Sequence, residues 1–247
     1  MPEAALKTPA PAAVTGSLLT VRGLEGWYGE SHVLHGIDID VRAGEVITLL
    51  GRNGAGKTTT LRAIIGILGR RSGSIVYDGV ETIRMASRNI ARLGLGYVPE
   101  ERGIYASLTV HENLMLPPRV KPGGMSVAEI HTLFPNLKER SGSQGTKLSG
   151  GEQQMLAIGR ILRTGAKLIL LDEPTEGLAP VIVQQIGRTI QQLKAQGYTI
   201  VLVEQNFRFA QTLADRHFVI EQGRVVDMIP NAELDANIDK LHAYLGV

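Results

Sequence analysis

The chain contains no cysteine, few aromatic residues and almost no net charge, and each of these deficits excludes a class of function. Without cysteine there can be no disulfide, thiolate metal site or cysteine nucleophile, which is typical of a protein from a reducing compartment. Aromatic residues make up 4% and the net charge is +2, so the chain lacks the clustered cations and stacking rings of a nucleic-acid groove. We therefore expect a cytoplasmic protein that does not bind nucleic acid.

Long apolar runs are also missing. No stretch approaches the roughly 18 consecutive apolar residues of a membrane helix. Residues 1–17 are rich in Ala, Pro and Thr and lack a basic start followed by an apolar segment, which favours a flexible tail over a signal peptide. Residues 18–247 are sufficient for one elaborated domain. Any membrane contact is therefore expected to be made through partner chains.

A glycine-rich motif is the first candidate for chemistry. Residues 51–58 match the pattern G-x-x-x-x-G-K-[ST], between a strand-like run at 46–50 and a helix predicted from 56 to 68. In such a loop the backbone N–H groups close on phosphate oxygens, Lys57 reaches the outer phosphates and the Thr58 hydroxyl contacts magnesium. The predicted nucleotide-binding residues of this loop are Gly51, Arg52, Asn53, Gly54, Ala55, Gly56, Lys57, Thr58 and Thr59.

A pair of carboxylates follows an apolar run later in the chain. Asp172 and Glu173 come directly after Leu168–Leu171, which predicts a buried strand that carries Asp172 to the ligand-binding edge of a sheet. There the Asp172 carboxylate can hold magnesium through water. Glu173, one residue on, can orient or deprotonate an attacking water.

A second anion-binding motif lies at residues 149–152, which we call the signature loop. Ser149 and Glu152 have the spacing of a capping box, and Gly150 and Gly151 leave helix-start amides uncovered. This loop has neither a lysine nor a magnesium ligand, so it cannot form a complete nucleotide pocket. Such a half-site is useful if it completes the pocket of another chain.

The order of segments predicts the fold class. Strand-like runs at 168–172, 199–203 and 217–221 alternate with helices near 180–195 and 207–214, which predicts an α/β domain with a mainly parallel sheet wrapped by helices. Short helices between residues 86 and 165, one of them opened by a capping box at Ser126 and Glu129, indicate an inserted helical subdomain. Four apolar residues predict a closing helix packed on the body: Leu234, Ile238, Leu241 and Leu245.

The three motifs, in this order, resemble the ATP-binding subunit of ABC transporters over residues 18–247. Shorter segments resemble the importers of branched-chain amino acids, and among their two ATPase subunits the shorter, LivF type. Those segments are residues 97–100, 108–114, 175–180, 203–206 and 244–246. Importers of urea or short amides share much of this pattern.

The resemblance implies a P-loop ABC ATPase fold with an N-terminal antiparallel β region, and it implies ATP and Mg²⁺ as cofactors. It assigns Glu173 as the catalytic glutamate, with Lys57 and Gln205 beside it. Gln205 stands where most members have a switch histidine, and Glu100 stands where most have a glutamine that meets magnesium and the attacking water. Thr58, Asp172 and Glu100 would thus hold the metal. Tyr28 aligns with the adenine-stacking aromatic, although it or its neighbour Trp27 could merely pack.

The resemblance also implies partners. Two transmembrane permease subunits would contact residues 100–116, and a second ATPase chain or a second copy would pair head to tail, so that each signature loop covers the γ-phosphate of the other chain. An extracytoplasmic solute-binding protein would act indirectly. The chain would then lie on the inner face of the cell membrane.

Two other functions are consistent with a nucleotide-binding motif. A soluble ABC ATPase of DNA repair or translation needs coiled-coil arms, a duplicated domain or a basic tail, and the sequence has none of these. A sensor that binds ATP without turnover conflicts with an intact Lys57, Asp172 and Glu173. None of the six histidines falls in a metal-ligand motif, and structural roles are favoured even for the closest pair, His32 and His35.

Overall fold

The computed structural model describes residues 16–246, so the tail predicted at residues 1–17 lies almost wholly outside the described residues, and Ser17 already belongs to the first strand. The strands are β1 (Ser17–Tyr28), β2 (Ser31–Arg42), β3 (Val46–Leu50), β4 (Arg70–Tyr77), β5 (Val80–Glu81), β6 (Leu95–Val98), β7 (Leu168–Asp172), β8 (Thr199–Val203), β9 (Arg216–Glu221) and β10 (Arg224–Pro230). The helices are α1 (Lys57–Ile64), α2 (Ser87–Arg92), α3 (Val110–Met115), α4 (Val127–Leu133), α5 (Pro135–Glu139), α6 (Gly150–Thr164), α7 (Pro180–Ala195), α8 (Phe207–Ala210) and α9 (Ile238–Leu245).

Two sheets organise these elements. The core sheet has the order β10-β9-β3-β8-β7-β6 and is parallel apart from β10, which pairs antiparallel with β9. The second sheet, β2-β1-β4-β5, is antiparallel. The predicted α/β class, with its parallel core and N-terminal antiparallel region, is therefore confirmed.

The core sheet is covered on both faces, which explains its apolar strands. Every residue of β3, β7 and β8 is buried. Alternate residues of β7 point into different cores: Leu168 and Leu170 pack toward the antiparallel sheet and α1, whereas Ile169 and Leu171 pack toward α6 and α7. Because neither face of such a strand contacts water, its sequence is a continuous apolar run instead of an alternation of apolar and polar residues.

The predicted helical subdomain at residues 86–165 is not entirely helical. Leu95–Val98 forms β6, which pairs in parallel with β7 at the edge of the core sheet. The predicted helix at 56–68 is also shorter, because α1 ends at Ile64 and Gly66 adopts the left-handed φ of +79°. Among residues 16–246 no helix combines the length and the apolar character needed to cross a bilayer.

The helix predicted near 207–214 is shorter in the structure, because α8 spans only Phe207–Ala210. Both predicted capping boxes are present, since the hydroxyls of Ser126 and Ser149 accept hydrogen bonds from the N–H groups of Glu129 and Glu152. The closing helix α9 packs on the body as predicted, with Leu241 fully buried in a cluster at the edge of the core sheet. It begins only at Ile238, so Leu234 joins this cluster from the turns before the helix.

Candidate active site

The order of the strands brings the predicted site residues to one edge of the core sheet. β3, β8, β7 and β6 are successive neighbours, and their carboxyl ends lead into the glycine loop, Gln205, Asp172 with Glu173, and Glu100. A cavity of about 390 Å³ opens at this edge. It is lined by Val33, Asn53, Gly54, Gly56, Lys57, Thr58, Thr59, Glu100, Glu173, Glu176 and Gln205.

The backbone of the glycine loop requires glycine at its ends. Gly51 has a φ of +154°, and a Cβ at this position would lie 2.2 Å from the carbonyl oxygen of Ile220. Gly56, with a φ of +109°, precedes α1 and offers no side-chain cap to the first amides of the helix. Free amides at a helix start form an anion-binding site. The loop can therefore receive phosphate oxygens, as the motif predicts.

Lys57 lies inside this loop and is only 4% exposed. Its Nζ donates to the carbonyl oxygens of Gly51, at 2.9 Å, and Arg52, at 3.2 Å, and stands 3.6 Å from Oε1 of Glu173. A phosphate oxygen, being charged, is a stronger acceptor for an ammonium group than a carbonyl oxygen is. The buried cation is thus positioned to exchange these neutral acceptors for phosphate.

Thr58 and Asp172, distant in sequence, meet directly. The Thr58 hydroxyl donates to Oδ1 of Asp172 at 2.8 Å, and the Tyr97 hydroxyl donates to Oδ2 at 2.9 Å. Burial raises the pKa of Asp172, against the opposing effect of these two hydrogen bonds. A cation beside the carboxylate would reverse that shift. Mg²⁺ prefers hard oxygen ligands. The Thr58 hydroxyl and the Asp172 carboxylate supply two of them in direct contact, and Glu100 lines the same cavity as Thr58.

Glu173 has a strained backbone. Its φ of +44° lies in the left-handed region, which costs a non-glycine residue of order 1 kcal/mol or more. The N–H of Glu173 donates to the carbonyl oxygen of Val203 at 3.0 Å, and Nε2 of Gln205 donates to Oε2 of Glu173 at 2.5 Å. Two of the three predicted catalytic side chains, Glu173 and Gln205, are therefore in contact, and the Gln205 amide orients the Glu173 carboxylate.

The sequence interpretation assigned no role to Glu176, yet this residue lines the same cavity. Desolvation, and then the charges of Glu173 and Glu100, raise the pKa of Glu176. Three carboxylates thus face a cavity with Lys57 in its wall, an arrangement that favours a divalent cation. The sequence feature that could have identified Glu176 is its position three residues after Glu173, within the importer-like segment 175–180.

Glu204 is a second residue that the sequence interpretation missed. It is 2% exposed, the Thr175 hydroxyl donates to its Oε1 at 2.8 Å, and burial raises the pKa of its carboxyl group to about 7. This contact joins the segment after Glu173 to the segment that carries Gln205. The sequence feature that could have identified Glu204 is again its position, because it directly follows β8 in the same way that Asp172 stands at the end of β7.

Some predicted site residues do not line the cavity: Gly51, Arg52, Ala55, Asp172, Tyr28 and the signature loop. Tyr28, at the end of β1, is 45% exposed. The signature loop also stands apart, with Ser149 exposed. Its Gly151 packs so closely on α7 that an added Cβ would lie 2.7 Å from Ile182. The anion-binding end of α6 therefore does not face the cavity of its own chain.

Comparisons with known proteins agree with this geometry. A family model described as ABC transporter matches residues 34–176. The chain is 43% identical, over 93% of its length and all of the relative, to the high-affinity branched-chain amino acid transport ATP-binding protein BraG of Pseudomonas aeruginosa. It is 32% identical to the lipopolysaccharide export system ATP-binding protein LptB of Escherichia coli K12, over 92% of this chain and 97% of that one.

Solved structures share the fold. A nucleotide-free ATP-binding cassette from an ABC transporter matches with a TM-score of 0.81 at 23% identity, covering 94% of this chain and 99% of that one. An ATP-binding subunit of an ABC transporter matches with a TM-score of 0.78 at 29% identity, covering 94% of this chain and all of that one.

Proposed function

The chain belongs to the ABC transporter family, as an ATP-binding and ATP-hydrolysing subunit, and we propose that it energises the import of branched-chain amino acids. The observation that carries the choice of solute is the 43% identity to BraG along the entire length of that relative. The match to LptB also spans nearly the whole chain, but its identity is 32%, which is 11 percentage points below the 43% identity to BraG. This difference favours the importer. Urea or short amides are the second candidate solutes, because their importers share the same sequence segments.

The glycine loop and Lys57 would bind the phosphates of ATP. The first amides of α1 and the buried Lys57 ammonium together supply the positive end of the cavity. Thr58, Asp172 and Glu100 would hold Mg²⁺, which supplies charge neutralisation at the phosphate oxygens when bound. Tyr28 would supply a ring face for adenine, which requires the exposed ring to turn toward the base.

Glu173 is positioned to act on water. In hydrolysis the water oxygen bonds to the γ-phosphorus, the bond from that phosphorus to the bridging oxygen of ADP breaks, and the water proton passes to the Glu173 carboxylate. Gln205 holds Oε2 of that carboxylate, which leaves Oε1 directed toward Lys57 and the cavity. Because Gln205 cannot become charged, it contributes orientation and hydrogen bonding alone.

A second ATPase chain, different or identical, would complete the site. The Ser149 end of α6 is an anion-binding helix start that its own cavity does not use, and a head-to-tail pair would place it over the γ-phosphate of the partner. Permease subunits would bind the region around residues 100–116 on the inner face of the membrane. Three apolar side chains about half exposed in this region support that contact: Tyr105, Met115 and Leu116.

Transport assays test the choice of solute. The chain would be reconstituted in proteoliposomes with its permease subunits and, where the pair is mixed, the second ATPase. The uptake of leucine, isoleucine, valine and urea would be measured with the matching binding protein. We expect ATP-dependent uptake of the three amino acids, and none with Lys57→Ala. Uptake of urea and of none of the three amino acids would show that the proposed solute is wrong, while the assignment as a transport ATPase would stand.

A further inference from the structure

A cluster of metal-ligating side chains lies on the antiparallel sheet, outside the cavity described above. The ligand atoms of Glu25 on β1 and of His32 and His35 on β2 all lie within 4.8 Å of one another. The Glu25 carboxylate contacts Nε2 of His32, and the two imidazole rings lie 4.1 Å apart between centroids. All three side chains are at least partly open to solvent. The hydrolytic site uses none of them.

A β-bulge creates this cluster. Residues three apart on a regular strand point to opposite faces, so His32 and His35 should not share one. In β2, however, His35 pairs with Glu25, Leu34 with Gly26 and His32 with Trp27, which leaves Val33 as an extra residue without a partner. A bulge of this kind redirects side chains. It brings both imidazoles to the face that carries Glu25 and Trp27, and it turns Val33 into the wall of the nucleotide cavity.

We propose that Glu25, His32 and His35 form a binding site for a divalent transition-metal ion of the Zn²⁺ class. Two imidazole nitrogens and one carboxylate oxygen form a ligand set that binds such ions and leaves a fourth position for water. Ligands on a tetrahedral zinc ion lie about 3 to 3.5 Å apart, so small rotations of these partly exposed side chains close the site.

The surroundings of the cluster are compatible with a cation. The guanidinium of Arg70 stacks on the Trp27 ring at 4.8 Å and also pairs with the Glu30 carboxylate at 3.6 Å, which offsets its positive charge. Arg224 donates to the backbone oxygen of His35 at 2.8 Å, so its contact leaves the imidazole nitrogens free to bind metal. The backbone N–H of His35 donates to the backbone oxygen of Gly223 at 2.8 Å. The backbone N–H of Gly223 in turn donates to the backbone oxygen of Ala55 in the glycine loop, also at 2.8 Å. A bound ion would therefore stiffen a segment attached to the nucleotide site.

Trp27 offers a direct probe of occupancy. It is the single tryptophan of the chain, and its ring stacks on His32 at 4.4 Å with an interplanar angle of 13°. Co²⁺ bound to His32 would quench Trp27 fluorescence, whereas diamagnetic Zn²⁺ that displaced the Co²⁺ would restore it. The absence of cysteine removes thiolates as competing ligands. Excess Mg²⁺ in the buffer would compete with Co²⁺ for the hard oxygen ligands Thr58 and Asp172.

The experiment titrates the full chain, without nucleotide, with Co²⁺ and then with Zn²⁺. Glu25→Gln and His35→Gln each remove one ligand without touching the Trp27 stack, and His111→Gln removes an exposed histidine of α3 as the matched control. We expect saturable quenching in the wild type and the control, reversed by Zn²⁺, and an affinity roughly tenfold weaker or worse in both ligand variants. Circular dichroism checks that each variant is folded, and one folded ligand variant is enough for the test.

The absence of saturable quenching in the wild type would overturn the proposal. Wild-type affinity in either folded ligand variant would do the same. Neither result bears on ATP hydrolysis, because the three ligands lie outside the hydrolytic site.

Discussion

Replacing Ser149 by Asp tests the head-to-tail arrangement while the helix stays capped. Ser149 is exposed, and its hydroxyl accepts from the N–H of Glu152 at 3.3 Å at the start of α6. Asp and Asn are both good N-cap residues, so Ser149→Asp and Ser149→Asn should fold equally well. The two variants differ by one negative charge. The nearby Gly151 is unsuitable for this purpose, because any side chain there collides with Ile182.

The magnitude follows from Coulomb's law. A carboxylate at about 4 Å from one unit of phosphate charge, in an effective dielectric of about 20, is repelled by about 4 kcal/mol. That corresponds to a factor of roughly a thousand in the equilibrium for ATP-dependent pairing. We expect Ser149→Asp to lose pairing and turnover by this order, and Ser149→Asn to stay within about tenfold of the wild type. Binding of ATP to the unpaired chain should be unchanged in both.

Mixed pairs of differently tagged chains decide which pocket the loop serves. Glu173→Gln inactivates the pocket of its own chain. With Glu173→Gln on one chain and Ser149→Asp on the other, a head-to-tail pair has both changes in the same pocket and leaves the second pocket without a change, so each pair that forms still turns over ATP in that pocket. With both changes on the same chain, each pocket carries one of them and turnover is lost. Activity in the second combination and loss in the first would refute the arrangement.

The remaining predictions concern three single substitutions. Glu173→Gln should bind ATP but nearly abolish turnover and accumulate paired chains, because the amide keeps the shape but cannot accept the proton; unchanged steady-state hydrolysis would remove Glu173 as the base. Lys57→Ala should lose ATP affinity with the fold intact, measured by nucleotide titration and circular dichroism, and normal affinity would contradict the phosphate role. For Glu204, whose pKa is raised from 4.5 to about 7 by burial, the folded state binds more protons between these values, so the free energy of unfolding falls by about 3 kcal/mol as pH rises through that window. Glu204→Gln should abolish this slope in denaturant titrations at pH 5 and pH 8, and a slope equal to that of the wild type would show that Glu204 does not cause it.

Much of the fold was predictable because its signals are local. β7, β8 and α7 have the predicted bounds, since apolar runs with turn residues around them have few alternatives. β6 was missed because its 4 residues, Leu95–Val98, lie among short helices and become a strand only by pairing with β7, more than 70 positions away. The bulge at Val33 was missed for the same reason, because it exists only relative to β1.

The sequence by itself determined which groups of this protein can perform its chemistry. The glycine loop with Lys57, the capping box of Ser149 and the carboxylates after β7 are short motifs whose backbone shape depends on adjacent residues. Only the tertiary structure decided which of them meet, because the contact of Thr58 with Asp172 spans 114 positions and depends on strand order. The tertiary structure also decided that Glu204 is buried and that Glu25, His32 and His35 share one face. Burial and strand pairing are properties of the packed chain, so no local pattern contains them.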